Sequence, residues 1–205
     1  MQLILVYSYF YHPIDILNDF AKNITLFLKK IAIEHISVVF IILIYNINME
    51  IRRAKKDDVP RLLALLTQIR KIHADLRPDL FAVGTTKYGE EELNQMIDDD
   101  DNPIYVAMID HYVVGYAMCQ KKFVSRVCTK KVYHLDDLCV DEKYRHQGIG
   151  EALFNFVKQE AKKDDCYEIT LNSWPNNEPA IKFYEKMGMK TRSVVLEYIL
   201  EDDNS

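Results

Sequence analysis

The sequence predicts an α/β protein in which a single mixed β-sheet is covered by helices. From Met49 onward, segments of alternating apolar and polar residues, typical of strands, are interspersed with segments whose apolar residues recur at helical spacing. The 205 residues suffice for one well-cored domain. The predicted order of elements is β-α-α-β-β-β-α-β-α-β over residues 49–205, and residues 1–48 form an N-terminal extension that does not conform to it.

The first three predicted elements are a strand and two helices. Alternation in MEIRRA (49–54) predicts the strand. A helix follows over 56–76, with Asp57 or Asp58 as its N-cap and Pro60 in its first turn, where the missing N–H costs little. After a loop, EEELNQMIDD (90–99) predicts a second, shorter helix.

Three strands come next. PIYVAMI (103–109) and YVVGYAMCQKKF (112–123) flank the dipeptide Asp-His, which predicts a hairpin with a tight turn. KVYHLDDLCV (131–140) has β-branched and aromatic residues around a double aspartate, which predicts a third strand.

The last four predicted elements alternate between helix and strand. A helix begins near Ile149, and a strand follows over YEITLNSW (167–174). NEPAIKFYEKMGM (177–189) predicts a helix closed by Gly188 at the C′ position. SVVLEYIL (193–200) predicts a final strand. The helix near Ile149 rests on five apolar residues at helical spacing: Ile149, Leu153, Phe156, Val157 and Ala161.

The extension over residues 1–48 differs in composition from the rest of the chain. Eleven of its residues are isoleucine, and it contains neither glycine nor arginine. This bias is typical of translated A/T-rich DNA, so one interpretation is a leader that precedes a start at Met49. A membrane anchor is the second interpretation, but the uncharged run over 35–49 is shorter than the roughly twenty residues that cross a bilayer. The third is that the segment belongs to the fold.

Charge and cysteine content exclude several classes of protein. The net charge of −5 argues against a nucleic-acid-binding protein, which would carry a basic face. The cysteines form no C-x-x-C pair and no histidine stands at zinc-ligand spacing from them, so we expect no metal. We expect reduced thiols and hence a cytoplasmic protein. Because the uncharged run over 35–49 is too short to cross a bilayer, we expect no membrane partner. The four cysteines are Cys119, Cys128, Cys139 and Cys166.

The segment YRHQGIGEALF (144–154) places two glycines between a strand and a helix. Glycine lets the backbone approach a ligand, and a helix N-terminus offers free N–H groups with partial positive charge, so the pattern favours phosphate binding. Leu153 occupies the position where a dinucleotide-binding loop needs a small residue. The string of a nucleotide P-loop does not occur either.

Two sequence blocks resemble the signature motifs of the GCN5-related N-acetyltransferases (GNAT superfamily). LDDLCVDEKYRHQGIGEALF (135–154) is similar to the family's strand, Arg/Gln-x-x-Gly-x-Gly/Ala loop and helix. LNSWPNNEPAIKFYEKMGM (171–189) is similar to its Asn-x-x-Ala-x-x-x-Tyr-x-x-x-Gly-Phe block, with Met189 in place of the usual phenylalanine. The resemblance covers residues 49–200. The matching positions are Arg145, Gly148, Gly150, Asn177, Ala180, Tyr184 and Gly188.

The resemblance implies the GNAT fold and an enzyme that transfers the acetyl group of acetyl-CoA to a primary amine. Backbone N–H groups from Arg145 to Gly150 would hold the pyrophosphate, with the Arg145 side chain either adding charge or facing solvent. The Leu138 N–H would donate to the thioester oxygen, and the Val140 backbone would bind the pantetheine. Coenzyme contacts are implied for Leu138, Cys139, Val140, Arg145, His146, Gln147, Gly148, Ile149, Gly150, Asn172, Asn177 and Tyr184.

Acetyl transfer to an amine needs a base for the ammonium and a donor for the departing thiolate. By resemblance Tyr184 is the donor. Asp136 and Asp137 are the candidate bases, and since consecutive strand residues face opposite sides, we expect only one of them in the cleft. His134 is the runner-up, and a water chain is the remaining option.

The resemblance leaves the acceptor open. A polyamine, an antibiotic, an amino acid and a protein amine all fit, and homodimers are common in the family. The segment between the first two helices, HADLRPDLFAVGTTKY (73–88), forms the acceptor wall in this fold, so His73, Arg77, Asp79 and Phe81 are candidates to line it. The alternative function is a non-catalytic acyl-CoA-binding or sensing module on the same fold; a nucleotide-binding or purely structural protein is the remaining option.

Overall fold

The computed structural model describes residues 49–81, 84, 86–123 and 129–200, and these form one compact unit. The predictions for residues 1–48 and Cys128 lie outside the described residues. Within them, no helix is both long enough and apolar enough to span a bilayer. The elements are β1 Met49–Arg53, α1 Val59–Leu76, α2 Glu90–Ile97, β2 Ile104–Ile109, β3 Tyr112–Phe123, β4 Lys131–Val140, α3 Ile149–Lys163, β5 Glu168–Thr170 and α4 Glu178–Lys186.

The five strands form one mixed sheet, as predicted. Their order is β1-β2-β3-β4-β5, with antiparallel pairing throughout except for the parallel pair β4–β5. Parallel neighbours require a crossover, and α3 supplies it between β4 and β5.

Helices cover both faces of the sheet, and each face has its own core. The α1–α2 face buries Leu62, Leu66 and Leu93 against Tyr116 of β3. The opposite face buries Leu153 of α3 against the other side of the sheet. Each fully buried leucine contributes about 1.5–3 kcal/mol of transfer free energy, so these two layers fix where β4 lies.

The end of α4 confirms the predicted role of Gly188. This glycine has φ of +88° and follows the C-cap Met187. Its N–H donates to the carbonyl of Glu185, and the Met189 N–H donates to the carbonyl of Tyr184. This is a Schellman motif, in which a left-handed residue satisfies carbonyls at a helix C-terminus.

The predicted strand over 193–200 is wrong. The described residues after Met189 have no regular secondary structure, and the side chains of Val195 and Leu196 are 89% and 90% exposed. A strand forms only where a neighbour supplies hydrogen bonds, and here the segment is held by side chains instead. Arg192 pairs with Glu168 at 2.6 Å, and Glu197 pairs with an arginine of the α1 C-cap.

The predicted strand over 167–174 is present but short. It pairs with β4 only from Val132↔Glu168 to His134↔Thr170. Beyond these pairs the two strands separate, and the rest of the predicted strand becomes a loop that leads to α4.

Candidate active site

A gap opens between β4 and β5 where their pairing ends. The Asp141 N–H donates to the carbonyl of Val114 on β3 at 2.9 Å. Because successive N–H groups along a strand point to opposite sides, the N–H groups of Leu138 and Val140 point away from β3, toward the gap. The Val140 carbonyl faces the same way and accepts from Nε of Arg145 at 3.0 Å.

The glycine loop lies at the end of β4 and leads into α3. Gly148 is the N-cap of α3 and has φ of +80°, a left-handed conformation that glycine adopts without strain. The first intrahelical bond joins the Ala152 N–H to the Gly148 carbonyl. The N–H groups of Ile149, Gly150 and Glu151 precede it in the first turn and have no intrahelical acceptor.

The space around Gly150 fits a ligand that approaches the backbone. A Cβ at this position would lie 3.6 Å from the Phe183 ring and 3.7 Å from Val140, which are ordinary contacts. The protein itself therefore leaves room for a side chain. Keeping the first turn of α3 bare suits a pyrophosphate, which binds at helix N-termini.

Three further predicted coenzyme residues lie in or near the glycine loop. His146 has φ of +62°, and the Gln147 amide donates to the Lys143 carbonyl at 3.5 Å. Cys139 is buried on the opposite face, where its thiol lies 3.8 Å from the Leu65 carbonyl. Burial raises the pKa of this thiol to about 12.

Tyr184 of α4 is half-buried beside the gap. Its ring centroid lies 5.1 Å from that of Phe183 and 6.2 Å from that of Phe154, and its hydroxyl makes no hydrogen bond to any described residue. Burial raises the pKa of this hydroxyl well above its ordinary range, and the charge of Asp137 adds to the rise. The phenol is therefore protonated at any physiological pH.

The two predicted asparagines flank the loop between β5 and α4. Asn177 is the N-cap of α4, and its side-chain oxygen accepts from the Ala180 N–H at 3.4 Å. Asn172 is exposed just beyond the end of β5, at the mouth of the gap. Asn177 thus has a structural role that leaves only its side-chain amide nitrogen free.

A β-bulge brings Asp136 and Asp137 to the same face of the sheet. Met118 pairs with Asp137, but the next pair is Cys119 with Leu135, so Asp136 has no partner on β3. The extra residue breaks the alternation of side chains. The expectation that only one aspartate can face the cleft is therefore wrong, because strict alternation does not hold at a bulge.

The two carboxylates have different partners on that face. Asp136 accepts from Nζ of Lys87 at 2.5 Å and from the Tyr88 hydroxyl at 3.2 Å. Asp137 accepts from the Tyr116 hydroxyl at 2.8 Å. Asp136 also lines an open cleft, with Tyr88, Met96, Asn102, Met118, Cys119 and Gln120.

The pKa of Asp137 is raised to about 6. Burial is the main cause, and the hydrogen bond from Tyr116 together with the charge of Lys87 limits the rise. A carboxyl with a pKa near 6 is ionised at neutral pH yet binds a proton far more readily than an ordinary aspartate, as a general base must.

His134 lies where the gap begins. Its Nδ1 is 3.0 Å from the Thr170 hydroxyl, across the last β4–β5 pair. Burial, followed by the charge of Lys122, lowers its pKa. The ring is therefore neutral at physiological pH and ties the two strands together at the point where they separate.

The predicted acceptor wall forms an aromatic cluster at the end of α1. Phe81 contacts His73 with ring centroids 5.6 Å apart and Trp174 with centroids 5.9 Å apart. Arg77 lies over Trp174 and pairs with Asp79 at 2.6 Å. All four predicted residues thus belong to one cluster, which also includes Trp174 from the loop after β5.

Sequence reasoning missed Lys87, Tyr116 and Arg61. Lys87 lies within the segment predicted to form the acceptor wall but is not among its four candidates, and its charge close to two glycines was the available signal. Tyr116 lies within an apolar strand, where nothing distinguishes a site residue from core. Arg61 forms an ion pair with Asp141 at the start of the glycine loop, a contact eighty residues away in sequence.

Known proteins resemble this chain in sequence and in fold. An uncharacterized N-acetyltransferase of Methanocaldococcus jannaschii is 25% identical over 154 residues, which are 74% of this chain and 66% of that protein. The glucosamine 6-phosphate N-acetyltransferase of Arabidopsis thaliana is 29% identical over 107 residues, 52% of this chain and 64% of the enzyme. The chain thus spans slightly less than two thirds of the length of these two relatives.

A solved structure shares the fold over most of its length. The X-ray structure of a tetramutant of a Bacillus halodurans protein has a TM-score of 0.69 and 24% identity, and the match covers 74% of this chain and 99% of that one. The model of the acetyltransferase (GNAT) family matches residues 68–189, which hold the glycine loop, the bulged strand and Tyr184. The predicted fold and family are therefore confirmed, and this chain belongs to the acetyltransferase (GNAT) family.

Proposed function

We propose that this protein transfers the acetyl group of acetyl-CoA to a primary amine. The gap between β4 and β5 carries the proposal. It joins the inward N–H groups of Leu138 and Val140 to the bare N-terminus of α3 in one continuous path. Such a path suits a ligand that is long, has amide groups along it and ends in a pyrophosphate.

Acetyl-CoA supplies the activated acetyl thioester, and the chain supplies its binding groups. The backbone from Arg145 to Gly150 binds the pyrophosphate, and the Val140 backbone binds the pantetheine amides. The Leu138 N–H donates to the thioester oxygen as it gains negative charge. Asn172, exposed just after β5, and Asn177, the N-cap of α4, are proposed as further coenzyme contacts.

Asp137 is the proposed base. Its pKa is raised to about 6 and its hydrogen-bond partner is the uncharged Tyr116, whereas Asp136 is ion-paired to Lys87. Asp137 accepts a proton from the acceptor ammonium, whose reference pKa is near 10.4 in a lysine side chain. Tyr184 donates a hydrogen bond to the departing thiolate from the other side of the gap.

A thiol-release assay with acetyl-CoA and a panel of primary amines tests this function. We expect acetyl-CoA-dependent release of free thiol with at least one amine, together with the acetylated product by mass spectrometry. Tight CoA binding by calorimetry without turnover of any amine would instead support an acyl-CoA-binding module. Absence of CoA binding would overturn both.

We further propose that residues 49–205 form the complete catalytic domain and that residues 1–48 are dispensable for it. The family match begins at residue 68, and the Bacillus halodurans structure is covered almost entirely by 74% of this chain. A chain that begins at Met49 is expected to have the melting temperature of the full chain. Its CoA affinity should lie within about twofold of that of the full chain, a difference well under 1 kcal/mol. Aggregation or a lower melting temperature would assign the extension to the core.

The cysteines support a cytoplasmic location. Cys119, Cys139 and Cys166 are free thiols, as we would expect in a reducing compartment.

A further inference from the structure

We propose that the acceptor carries an anionic group as well as its amine, and that Arg70 binds this group. The inference rests on the proposed function, because it concerns the acceptor of the same site. It comes from a difference between two arginines on α1.

Arg70 of α1 and Arg77, the C-cap of α1, each stack on an aromatic ring. The Arg70 guanidinium carbon is 4.7 Å from the centroid of Phe81, and that of Arg77 is 5.0 Å from the centroid of Trp174. The two rings are themselves in edge contact. The aromatic cluster therefore holds two guanidinium groups in similar settings.

Only one of the two guanidinium groups is neutralised by the protein. Arg77 forms ion pairs with Asp79 at 2.6 Å and with Glu197 at 2.9 Å. Arg70 has no carboxylate partner among the described residues, and its Nε is buried without a hydrogen-bond acceptor. A buried donor without an acceptor is destabilising, so a site that keeps one is expected to gain from a ligand that supplies it.

Arg70 lies on the same side of the sheet as the proposed base. Trp174 follows the end of β5, where the gap opens, and the Asn176 amide joins this loop to the Leu76 carbonyl of α1 at 3.0 Å. Burial and then the charges of Arg70 and Lys87 lower the pKa of His73. The charge of Lys87 also lowers the pKa of Asp137. α1 packs on the face of the sheet that carries Tyr116, the hydrogen-bond partner of Asp137, so the cationic cluster and the base lie on the same face.

The charges on this face of the sheet favour a bifunctional acceptor. An amine next to Asp137 gives up its proton there, while a carboxylate or phosphate of the same molecule reaches the guanidinium of Arg70. A planar guanidinium binds such oxyanions through two parallel N–H bonds. A simple polyamine would instead bring further positive charge toward Arg70 and Lys87.

Matched acceptors test the inference. L-Lysine is compared with cadaverine for a carboxylate, and phosphoethanolamine with ethanolamine for a phosphate. We expect the anionic member of at least one pair to have a kcat/KM about tenfold higher or more, as expected for one charge-assisted contact. The pair that shows the preference identifies the anionic group.

Arg70→Met keeps the stem of the side chain and removes the guanidinium, so the preference is expected to fall below about twofold. Arg77→Met is the matched control, since Arg77 is already paired, and it should keep the wild-type preference. Arg70→Lys keeps the charge without the planar fork and should retain the preference in part. CoA affinity, measured by calorimetry, checks that each variant is folded.

Equal kcat/KM for both members of both pairs, in a wild-type enzyme that turns over, would overturn the inference and leave the proposed function intact. A preference that survives in Arg70→Met would also overturn it. If the wild-type protein neither binds CoA nor acetylates any amine, the proposed function itself fails.

Discussion

The two sides of the β4–β5 gap present different kinds of chemical group, backbone on one side and side chains on the other. On the α3 side, the groups that face the gap are backbone N–H groups of β4 and of the first turn of α3. On the α1 side, they are side chains, with Asp137 and Tyr116 on the sheet and the arginine and aromatic cluster above it.

This difference predicts which positions tolerate substitution and which do not. A backbone N–H is present whatever the residue, so the coenzyme side tolerates sequence change except where a side chain would intrude, as at Gly150. The acceptor side depends on residue identity and on pKa, so one substitution can alter its chemistry. We therefore expect substitutions on the coenzyme side to change affinity and those on the acceptor side to change rate.

Asp137→Asn is expected to have the largest effect, a fall in kcat of about 10²- to 10⁴-fold, because it removes the general base. CoA affinity should not change. Since burial raises the pKa of Asp137 to about 6, activity of the wild-type enzyme should rise as pH increases through 6, and this limb should vanish in the variant. The measurement is kcat/KM against pH.

Asp136→Asn is the matched control for that substitution. It removes the neighbouring carboxylate and its pair with Lys87, and we expect less than a tenfold loss with the limb near pH 6 retained. A larger loss in Asp136→Asn than in Asp137→Asn would exchange their roles.

Gly150→Ala should weaken CoA binding by about 10- to 100-fold, the loss of one or two charge-assisted hydrogen bonds. The new Cβ meets Phe183 and Val140 at ordinary contact distances, so the melting temperature should change little. Gly150 is a sharper test than Gly148, where φ of +80° would strain any other residue. An unchanged CoA affinity, measured by calorimetry, would show that the pyrophosphate does not bind at the N-terminus of α3.

Tyr184→Phe is expected to lower kcat at least about tenfold, since a general acid typically contributes about 10²- to 10⁴-fold. The ring contacts with Phe154 and Phe183 survive, so neither melting temperature nor CoA affinity should move. A wild-type rate would leave Tyr184 as a packing residue.

The smallest effect is expected from breaking one of two ion pairs. One includes Arg61 of α1, and the other includes Asp58 in the turn before α1. Arg61 pairs with Asp141 and also donates from its Nε to the Val113 carbonyl. Asp141 in turn accepts from the Lys143 N–H at the entrance to the glycine loop. We expect Arg61→Met to weaken CoA binding about fivefold, equivalent to about 1 kcal/mol of loop ordering.

Arg52→Met provides the comparison for that variant. Arg52 pairs with Asp58 at 2.7 Å, and both arginine side chains are about one-fifth exposed, but this pair lies away from the glycine loop. Both variants should lose similar stability in urea unfolding, whereas only Arg61→Met should change CoA affinity. Equal affinity in the two variants would make the Arg61 pair purely structural.

The sequence by itself determined most elements of the fold and the glycine loop at the start of α3. Each depends on local signals. Apolar periodicity marks the helices, Asp-His at a tight turn marks the hairpin, and a left-handed glycine is required at both Gly148 and Gly188. The motif around the glycine loop is contiguous, as suits the proposal that backbone N–H groups of one short segment bind the pyrophosphate.

Only the tertiary structure decided the acceptor side. The bulge that brings Asp136 and Asp137 to one face depends on the pairing of β4 with β3, which no local pattern specifies. The partners of these carboxylates, Lys87 and Tyr116, come from distant parts of the chain. Residues 193–200 have the composition of a strand, but they stay unpaired because a strand requires a neighbour as well as a propensity.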